Sequence, residues 1–184
     1  LKLPISPTDH LMSKAIYLSD PDGLGIEIAF ETPERFGRFG DFNRGIAMYD
    51  ADGNFHNGRE RLDLHDELAF DLGEDLSAPI ANDATLAHLH LQVPALASSI
   101  DWFEQIGFAR NLGAGAKYSH RLAMNTWAGT NIEPAPKNMA RLLRYELQVN
   151  DPSIIAGLKD FKPSAIGFKG TDPAGVEISL VSQF

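Results

Sequence analysis

The sequence predicts an α+β fold built from repeated β-α-β-β-β units, and three observations lead to this prediction. Residues 86–93 (LAHLHLQV) alternate apolar and polar side chains, which is the period of a half-buried strand. Residues 96–106 place their apolar side chains near one helical face, and Gly107 suits the end of that helix. Residues 142–149 (LLRYELQV) repeat the first pattern at a displacement of 142 − 86 = 56 residues, which indicates a repeated supersecondary unit.

The first 32 residues are predicted to form a β-hairpin. Residues 15–19 and 25–30 are both rich in strand-forming side chains, and a D-P-D-G turn separates them. Within the second of these strands, three large apolar side chains share one face and Glu27 lies on the other.

The C-terminal region repeats this hairpin signal. A D-P-A-G turn precedes a final strand over residues 176–181. A helix is expected over 154–161, after the helix-starting pair Asp151-Pro152. This order of strand, helix and strand matches that of the preceding unit, in which a further strand is expected within 116–127.

Residues 33–83 are interpreted as a linker. Gly, Asn, Asp and Arg dominate residues 36–61, and residues 62–72 have the pattern of a short amphipathic helix. Connections of this length are unusual inside a compact domain. We therefore assign residues 1–32 to a first domain and residues 84–184 to a second domain.

Composition excludes several classes of function. The 184 residues carry 25 acidic and 16 basic side chains, a net charge of −9, and no basic cluster suited to nucleic acid. The absence of cysteine excludes disulfides, thiolate zinc sites and cysteine nucleophiles. No apolar run has the length of a membrane span, so we expect a cytoplasmic protein without nucleic-acid or membrane partners.

One motif resembles a metal site but departs from it. Residues 50–54 (DADGN) begin like a calcium-binding loop, with oxygen-bearing side chains at the first, third and fifth positions. Phe55 occupies the sixth position, which requires glycine, and Arg61 occupies the twelfth, which requires glutamate. A hairpin turn is therefore predicted here.

The segment over residues 9–28 (DHLMSKAIYLSDPDGLGIEI) resembles the vicinal oxygen chelate superfamily, which includes glyoxalase I, bleomycin-resistance proteins and extradiol ring-cleaving dioxygenases. Residues 88–93 and 118–127 are similar to the second domain of the two-domain catechol 2,3-dioxygenase type. This resemblance implies the glyoxalase/extradiol dioxygenase fold, with curved mixed sheets. It also implies that residues 1–32 are the C-terminal half of a unit whose N-terminal part lies outside this chain.

The resemblance also implies a set of site residues. In the family, two histidines and one glutamate bind Fe(II) or Mn(II) and leave positions open for a bidentate substrate and O2. Glu27 matches the carboxylate ligand, Tyr17 matches an active-site tyrosine, and His10 resembles a histidine that can donate a proton to the substrate. Both histidine ligands would precede this chain, so the chain by itself is expected to lack a complete site.

The second domain is expected to have lost the metal site of the family. His88 stands at the first histidine position, but Arg144 and Ser179 stand at the two matching positions. The remaining polar side chains are expected to form a structural cluster. Its candidate members are His88, His90, His120 and Glu146.

The function implied by the resemblance is a metal-dependent extradiol dioxygenase that cleaves a catecholic, small aromatic substrate with O2. A glyoxalase-type isomerase or lyase is an alternative on the same fold, because one fold hosts many reactions. A non-catalytic module that binds small molecules is a second alternative. Sheet edges left unpaired in residues 1–32 would promote association, so we expect a homo-oligomer.

Overall fold

A computed structural model describes residues 3–40, 47–69, 77–79, 82–108, 122–149 and 158–182. These residues divide into two compact units, with the boundary between Leu86 and Ala87. Among the described residues sheet predominates and helices are few, which is compatible with the predicted α+β class. None of the described helices is long and apolar enough to cross a membrane.

The first unit contains two antiparallel sheets, a short helix and a 3-10 turn at Pro33–Arg35. In chain order its regular elements are β1 (Ser6–Asp9), β2 (Ser13–Ser19), β3 (Gly25–Glu31), β4 (Phe36–Phe39), β5 (Met48–Asp50), β6 (Phe55–His56), β7 (Glu60–Arg61) and α1 (Leu64–Leu68). One sheet has the order β3-β2-β1-β7, and the other has the order β4-β5-β6. The site described below lies on the first of these sheets.

The predicted hairpin is present as β2 and β3, and β1 adds a strand that the sequence did not predict. The β1 run contains Pro7, which lacks an N–H for the ladder and therefore argues against a strand inside a sheet. The structure nevertheless pairs Pro7 with Ile16 of β2. The Pro7 carbonyl also accepts a hydrogen bond from the N–H of Leu62, so its oxygen is used on the other side of the strand.

Much of the stretch interpreted as a linker belongs to the first unit. Strands β4 to β7 fall within residues 33–83, and β7 pairs with β1. The predicted helix over 62–72 is present as α1, which Asp63 caps by accepting the N–H groups of His65 and Asp66. Residues 70–72 lie outside the described residues. These strands have two to four residues each, which is too short to show the alternation by which strands are recognised.

One turn geometry occurs three times among the described residues. At Asp20, Asp50 and Asp172 the Oδ1 atom accepts hydrogen bonds from the backbone N–H groups two and four residues later. The glycine three residues after each aspartate has a φ between 79° and 88°, which side chains with a Cβ rarely adopt. The second of these turns is the hairpin predicted at residues 50–54, between β5 and β6.

The second unit contains a parallel strand pair and a mixed four-stranded sheet. Its regular elements are β8 (Leu89–Gln92), α2 (Leu96–Gln105), β9 (Leu122–Asn125), β10 (Arg144–Val149), β11 (Lys162–Ser164), β12 (Gly167–Thr171) and β13 (Glu177–Ser182). Strands β8 and β9 are parallel, and the mixed sheet has the order β10-β13-β12-β11 with β10 parallel to β13. The predicted helix over 154–161 and the strand within 116–127 fall partly outside the described residues.

The core of the second unit joins α2 to both strand groups. Phe103 of α2 packs in one buried cluster with Val93, Ile178 and Leu180. Each of these side chains is at most 2% exposed. Burying a side chain of this size stabilises the fold by about 1.5–3 kcal/mol. This cluster is therefore the principal source of stability among the described residues of the unit.

Strands β3 and β13 occupy matching places but differ in their neighbours. β13 lies between β10 and β12, and its Ile178 and Leu180 are fully buried. β3 pairs with β2 alone among the described strands, and its Ile26 and Ile28 are 41% and 56% exposed. The apolar face predicted for residues 26–30 is therefore exposed among the described residues, whereas the matching face of β13 packs against α2 in the buried cluster.

We predict that Asp172→Ala destabilises the second unit by about 2–4 kcal/mol, because three donors lose their acceptor. Asp172 is buried, and its Oδ2 accepts the Tyr145 hydroxyl at 2.8 Å. Asp172→Asn keeps an acceptor at Oδ1 and should cost about 1 kcal/mol or less. Urea unfolding measures each loss. The matched control is Asp20→Ala, which breaks the same turn at a half-buried position, and an equal loss in both alanine variants would contradict the prediction.

We also predict that Ile28→Lys and Phe30→Lys weaken self-association. Both side chains are exposed on the edge strand β3, and charge on such an edge disfavours pairing with another chain. Sedimentation over a range of concentrations measures the effect. Leu68→Lys is the control, because Leu68 is as exposed but lies on α1. A wild-type chain that is monomeric at every concentration would refute the expected homo-oligomer.

Candidate active site

The first unit brings His10, Tyr17 and Glu27 together. The register of β2 and β3 pairs Tyr17 with Glu27, so these two side chains share one face of the sheet. His10 follows β1, the next strand along, and its Nε2 atom lies 2.9 Å from the Tyr17 hydroxyl and 3.8 Å from Glu27 Oε1. The three residues singled out in the segment 9–28 therefore form one cluster.

This cluster is partly accessible to solvent. The side chains of His10 and Glu27 are 19% and 21% exposed. The rings of His10 and Tyr17 meet edge to face, with 5.9 Å between their centroids. Solvent therefore reaches part of each side chain, while the packing of the rings limits how far they move.

The protonation of His10 follows from its partners. Its Nδ1 atom is hydrogen-bonded to the carbonyl oxygen of Gly58. A carbonyl only accepts, so Nδ1 carries the hydrogen and, in the neutral ring, Nε2 keeps its lone pair. The Tyr17 hydroxyl then donates to Nε2. The arrangement presents a base at Nε2 beside a phenol and a carboxylate, which is the chemistry needed to move a proton.

Asp9 anchors the turn that carries His10. Its carboxylate binds the Arg35 guanidinium through two hydrogen bonds, of 3.1 and 2.6 Å, and accepts the N–H of Leu11 at 2.7 Å. Burial raises the pKa of Asp9, but the bonds from Arg35 and Leu11 outweigh it and hold the pKa below its ordinary value. Asp9 is therefore a charged anchor next to His10.

Leu11 adopts a strained backbone in this turn. Its φ is 66°, a region that costs a non-glycine residue about 1–2 kcal/mol. Its side chain is almost fully buried, and its carbonyl accepts the Thr32 hydroxyl at 2.9 Å. Burial and these hydrogen bonds hold Leu11 in place, and the tight turn directs the preceding His10 toward β2.

Sequence reasoning missed the residues that support the cluster. Asp9, Arg35, His56 and Gly58 all lie near His10, yet two of them fall in the stretch taken as a linker and Arg35 falls at its start. The Asn57-Gly58 pair is a turn signal that could have located the loop. Its contact with His10 depends on the pairing of β7 with β1, which local sequence does not reveal.

In the second unit, His88 precedes β8 and His90 lies on it, so two members of the expected cluster are neighbours. The rings of His88 and His90 lie 6.0 Å apart, and His90 Nε2 is 2.7 Å from the Asn125 amide nitrogen. The His90 ring also packs against Trp127 at 5.3 Å. Glu146 is exposed on β10, in the other sheet. The fourth expected member of the cluster, His120, lies outside the described residues.

The second unit offers no counterpart of the Tyr17–Glu27 pair. The turns at Asp20 and Asp172 align the two hairpins with an offset of 172 − 20 = 152 residues. At this offset Lys169 replaces Tyr17 and Ser179 replaces Glu27, and these two residues face each other in the same register. The Lys169 ammonium pairs instead with Glu177 at 3.1 Å. Ser179 therefore offers a hydroxyl where the first hairpin has the carboxylate of Glu27.

Comparison with known proteins gives one informative similarity. A curated catechol-2,3-dioxygenase of Bacillus subtilis (strain 168) is 28% identical over 153 residues, which cover 78% of this chain and 50% of that protein. This similarity relates the chain to the vicinal oxygen chelate superfamily. The chain spans about half the length of this relative. No family model matches the chain, and no solved structure matches it.

We predict that Arg35→Met destabilises the first unit by about 1–3 kcal/mol at neutral pH, because the Asp9 carboxylate loses its cation. The pKa of Asp9 is depressed in the folded state, so its stabilisation is present above the ordinary value of 3.8 and is lost as the pH falls through the folded pKa. Thermal unfolding at pH 7 and at pH 3 should therefore show a smaller difference in the variant. Arg61→Met, at an exposed position on β7, is the control, and the same change there would refute the assignment.

Proposed function

We propose that the natural protein is a metal-dependent extradiol dioxygenase that cleaves a catecholic ring with O2. The observation that carries this proposal is the cluster of His10, Tyr17 and Glu27, in which a carboxylate, a phenol and an imidazole base converge on one face of a sheet. The similarity to a catechol-2,3-dioxygenase supports it. The substrate would be a small aromatic molecule with two vicinal hydroxyls.

Glu27 is the proposed metal ligand. Its carboxylate suits Fe(II) or Mn(II), the ions implied by the resemblance. Such an ion would act as a Lewis acid toward the two vicinal oxygens and supply electrons to O2. One carboxylate is too few donors for such a site, and both nitrogens of His10 are engaged by Gly58 and Tyr17. The described residues of this unit therefore do not hold the metal alone, and the remaining ligands have to come from outside them.

Proton handling is the part of the chemistry that this unit would supply. A neutral His10 with its hydrogen on Nδ1 can accept a proton at Nε2 from a substrate hydroxyl, directly or through Tyr17. The Gly58 carbonyl keeps Nδ1 protonated throughout. Glu27 lies close enough to Nε2 to stabilise the imidazolium that forms. These proton transfers use only His10, Tyr17, Gly58 and Glu27, which lie together in the first unit.

The second unit is proposed as a non-catalytic partner of the site. The replacement of the Tyr17–Glu27 pair by Lys169 and Ser179 supports this, because neither replacement offers a metal-binding carboxylate. We propose that the unit serves in folding or in binding a small molecule. A glyoxalase-type isomerase on the same fold would require no O2, so oxygen uptake separates it from the leading proposal.

We predict that the natural protein, loaded anaerobically with Fe(II), consumes O2 and forms a coloured ring-fission product from a catechol. Tyr17→Phe should lower kcat by about 10²–10⁴-fold, because it removes a group that relays protons. Glu27→Gln should abolish turnover and weaken metal binding. Glu31→Gln is the matched control, since Glu31 is an exposed carboxylate four positions later on the same face of β3.

Two outcomes would overturn the proposal. The first is an iron-loaded protein that takes up no O2 with any catechol tested. The second is a Glu27→Gln variant that binds the metal and turns over the catechol as well as the Glu31→Gln control does. Turnover of an alternative substrate without O2 uptake would favour the isomerase.

A further inference from the structure

His56 is a buried histidine whose side chain carries no part of the proposed chemistry. It ends β6 and is 7% exposed. Its Nδ1 atom accepts the backbone N–H of Gly58 at 2.9 Å. Its Nε2 atom is buried without a hydrogen-bond partner among the described residues, and lies 3.7 Å from both Asp9 Oδ1 and Glu60 Oε2. A buried imidazole placed in this way requires a structural or functional reason.

The loop that His56 holds is the loop that reaches His10. Gly58 donates its N–H to His56 and accepts the Nδ1 hydrogen of His10 with its carbonyl. The backbone there has a φ of 77°, and Asn57 Oδ1 accepts the Arg59 N–H at 2.7 Å in a tight turn. Gly58 is therefore fixed between two imidazole rings.

Strand pairing explains why this loop lies at the cluster. The register of β7 and β1 sets Glu60 opposite Asp9, so the loop before β7 passes beside the residue that follows Asp9. That residue is His10. The pairing of β7 with β1 therefore brings Gly58 close to His10. The hydrogen bond from the Gly58 N–H to His56 then sets the orientation of the Gly58 peptide groups.

The partners also define the tautomer of His56. A backbone N–H only donates, so Nδ1 of His56 carries no hydrogen and Nε2 does. The Nε2–H group points toward the carboxylates of Asp9 and Glu60, at distances too long for hydrogen bonds but short enough for electrostatic attraction. Asp9 is itself neutralised by Arg35. The two carboxylates orient the His56 ring, and its Nδ1 atom accepts the hydrogen bond from Gly58 in the loop before β7.

We propose that His56 is a positioning residue whose Nδ1 atom fixes Gly58, and that the Gly58 carbonyl thereby keeps His10 in its Nδ1–H tautomer. His10 then offers a lone pair at Nε2 to Tyr17. The consequence for catalysis rests on the function proposed above, whereas the tautomer of His10 is a property of the folded chain and can be measured without any activity.

Two similar substitutions separate this role from simple packing. The side-chain oxygen of asparagine can occupy the place of Nδ1, so His56→Asn keeps an acceptor for the Gly58 N–H. The longer side chain of glutamine places its amide near the position of Nε2, so His56→Gln leaves the Gly58 N–H without an acceptor. Both variants are polar and smaller than histidine, and they should cost similar packing energy.

The experiment is ¹⁵N-edited NMR of the histidine rings in the 184-residue chain at a pH where they are neutral. In the wild type, the two His10 nitrogens should have widely separated shifts with Nδ1 protonated. His56→Gln should make the two shifts converge as both tautomers become populated, whereas His56→Asn should preserve the wild-type separation. His65→Asn, which replaces an exposed histidine of the same unit, is the control and should leave the His10 signals unchanged.

The result can overturn the proposal in two ways. His10 shifts that are unchanged in a folded His56→Gln variant would show that Gly58 does not depend on His56. Equal changes in the asparagine and glutamine variants would show that the acceptor at Nδ1 is not the reason. If the His10 tautomer responds as expected but the natural protein takes up no O2 with catechols, the positioning role stands and the dioxygenase proposal fails. If the natural protein cleaves catechols but the His10 tautomer does not respond to His56→Gln, the dioxygenase proposal stands and the positioning role fails.

Discussion

The pairing register of β2 and β3 is the constraint on which the candidate site depends. A shift of one residue would move every side chain of β3 to the opposite face, and Glu27 would no longer meet Tyr17. The turn at Asp20 fixes this register at one end of the hairpin, and the hydrogen bond from the Thr32 N–H to the Met12 carbonyl fixes it at the other. The meeting of Tyr17 and Glu27 therefore depends on the turn geometry as well as on which side chains occupy these two positions.

The second hairpin has the same turn and register as the first hairpin without the Tyr17–Glu27 pair. The turn at Asp172 has the same hydrogen bonds as the turn at Asp20, and it sets Lys169 opposite Ser179 in the same way. The backbone is preserved while the functional pair is replaced. Burial of the apolar face stabilises the second hairpin, so its two polar positions are free to differ. The same positions in the first hairpin hold a phenol and a carboxylate in contact with an imidazole.

The parts of the fold that could be predicted are those encoded over a few residues. The β2–β3 hairpin follows from its turn and its alternation, and α2 follows from its apolar face and Gly107. Strand β1 was missed because Pro7 removes a donor. The hairpin of β5 and β6 was indicated by its turn, whereas β4 and β7 were missed because strands this short carry no periodic signal. Glu27, Tyr17 and His10 were found through a motif within one segment. His56 was not found, because its role depends on strand pairing between distant parts of the chain.

The three members of the cluster are not held with equal rigidity. His10 is constrained from two sides, by the turn that Asp9 anchors and by the Gly58 carbonyl. Glu27 lies on β3, which has a paired neighbour on one side only among the described strands. In the second unit, β13 has paired neighbours on both sides, β10 and β12, so the matching backbone there is held along both edges. The carboxylate of Glu27 therefore lies on the less restrained backbone of the cluster, and the imidazole of His10 lies on the more restrained one.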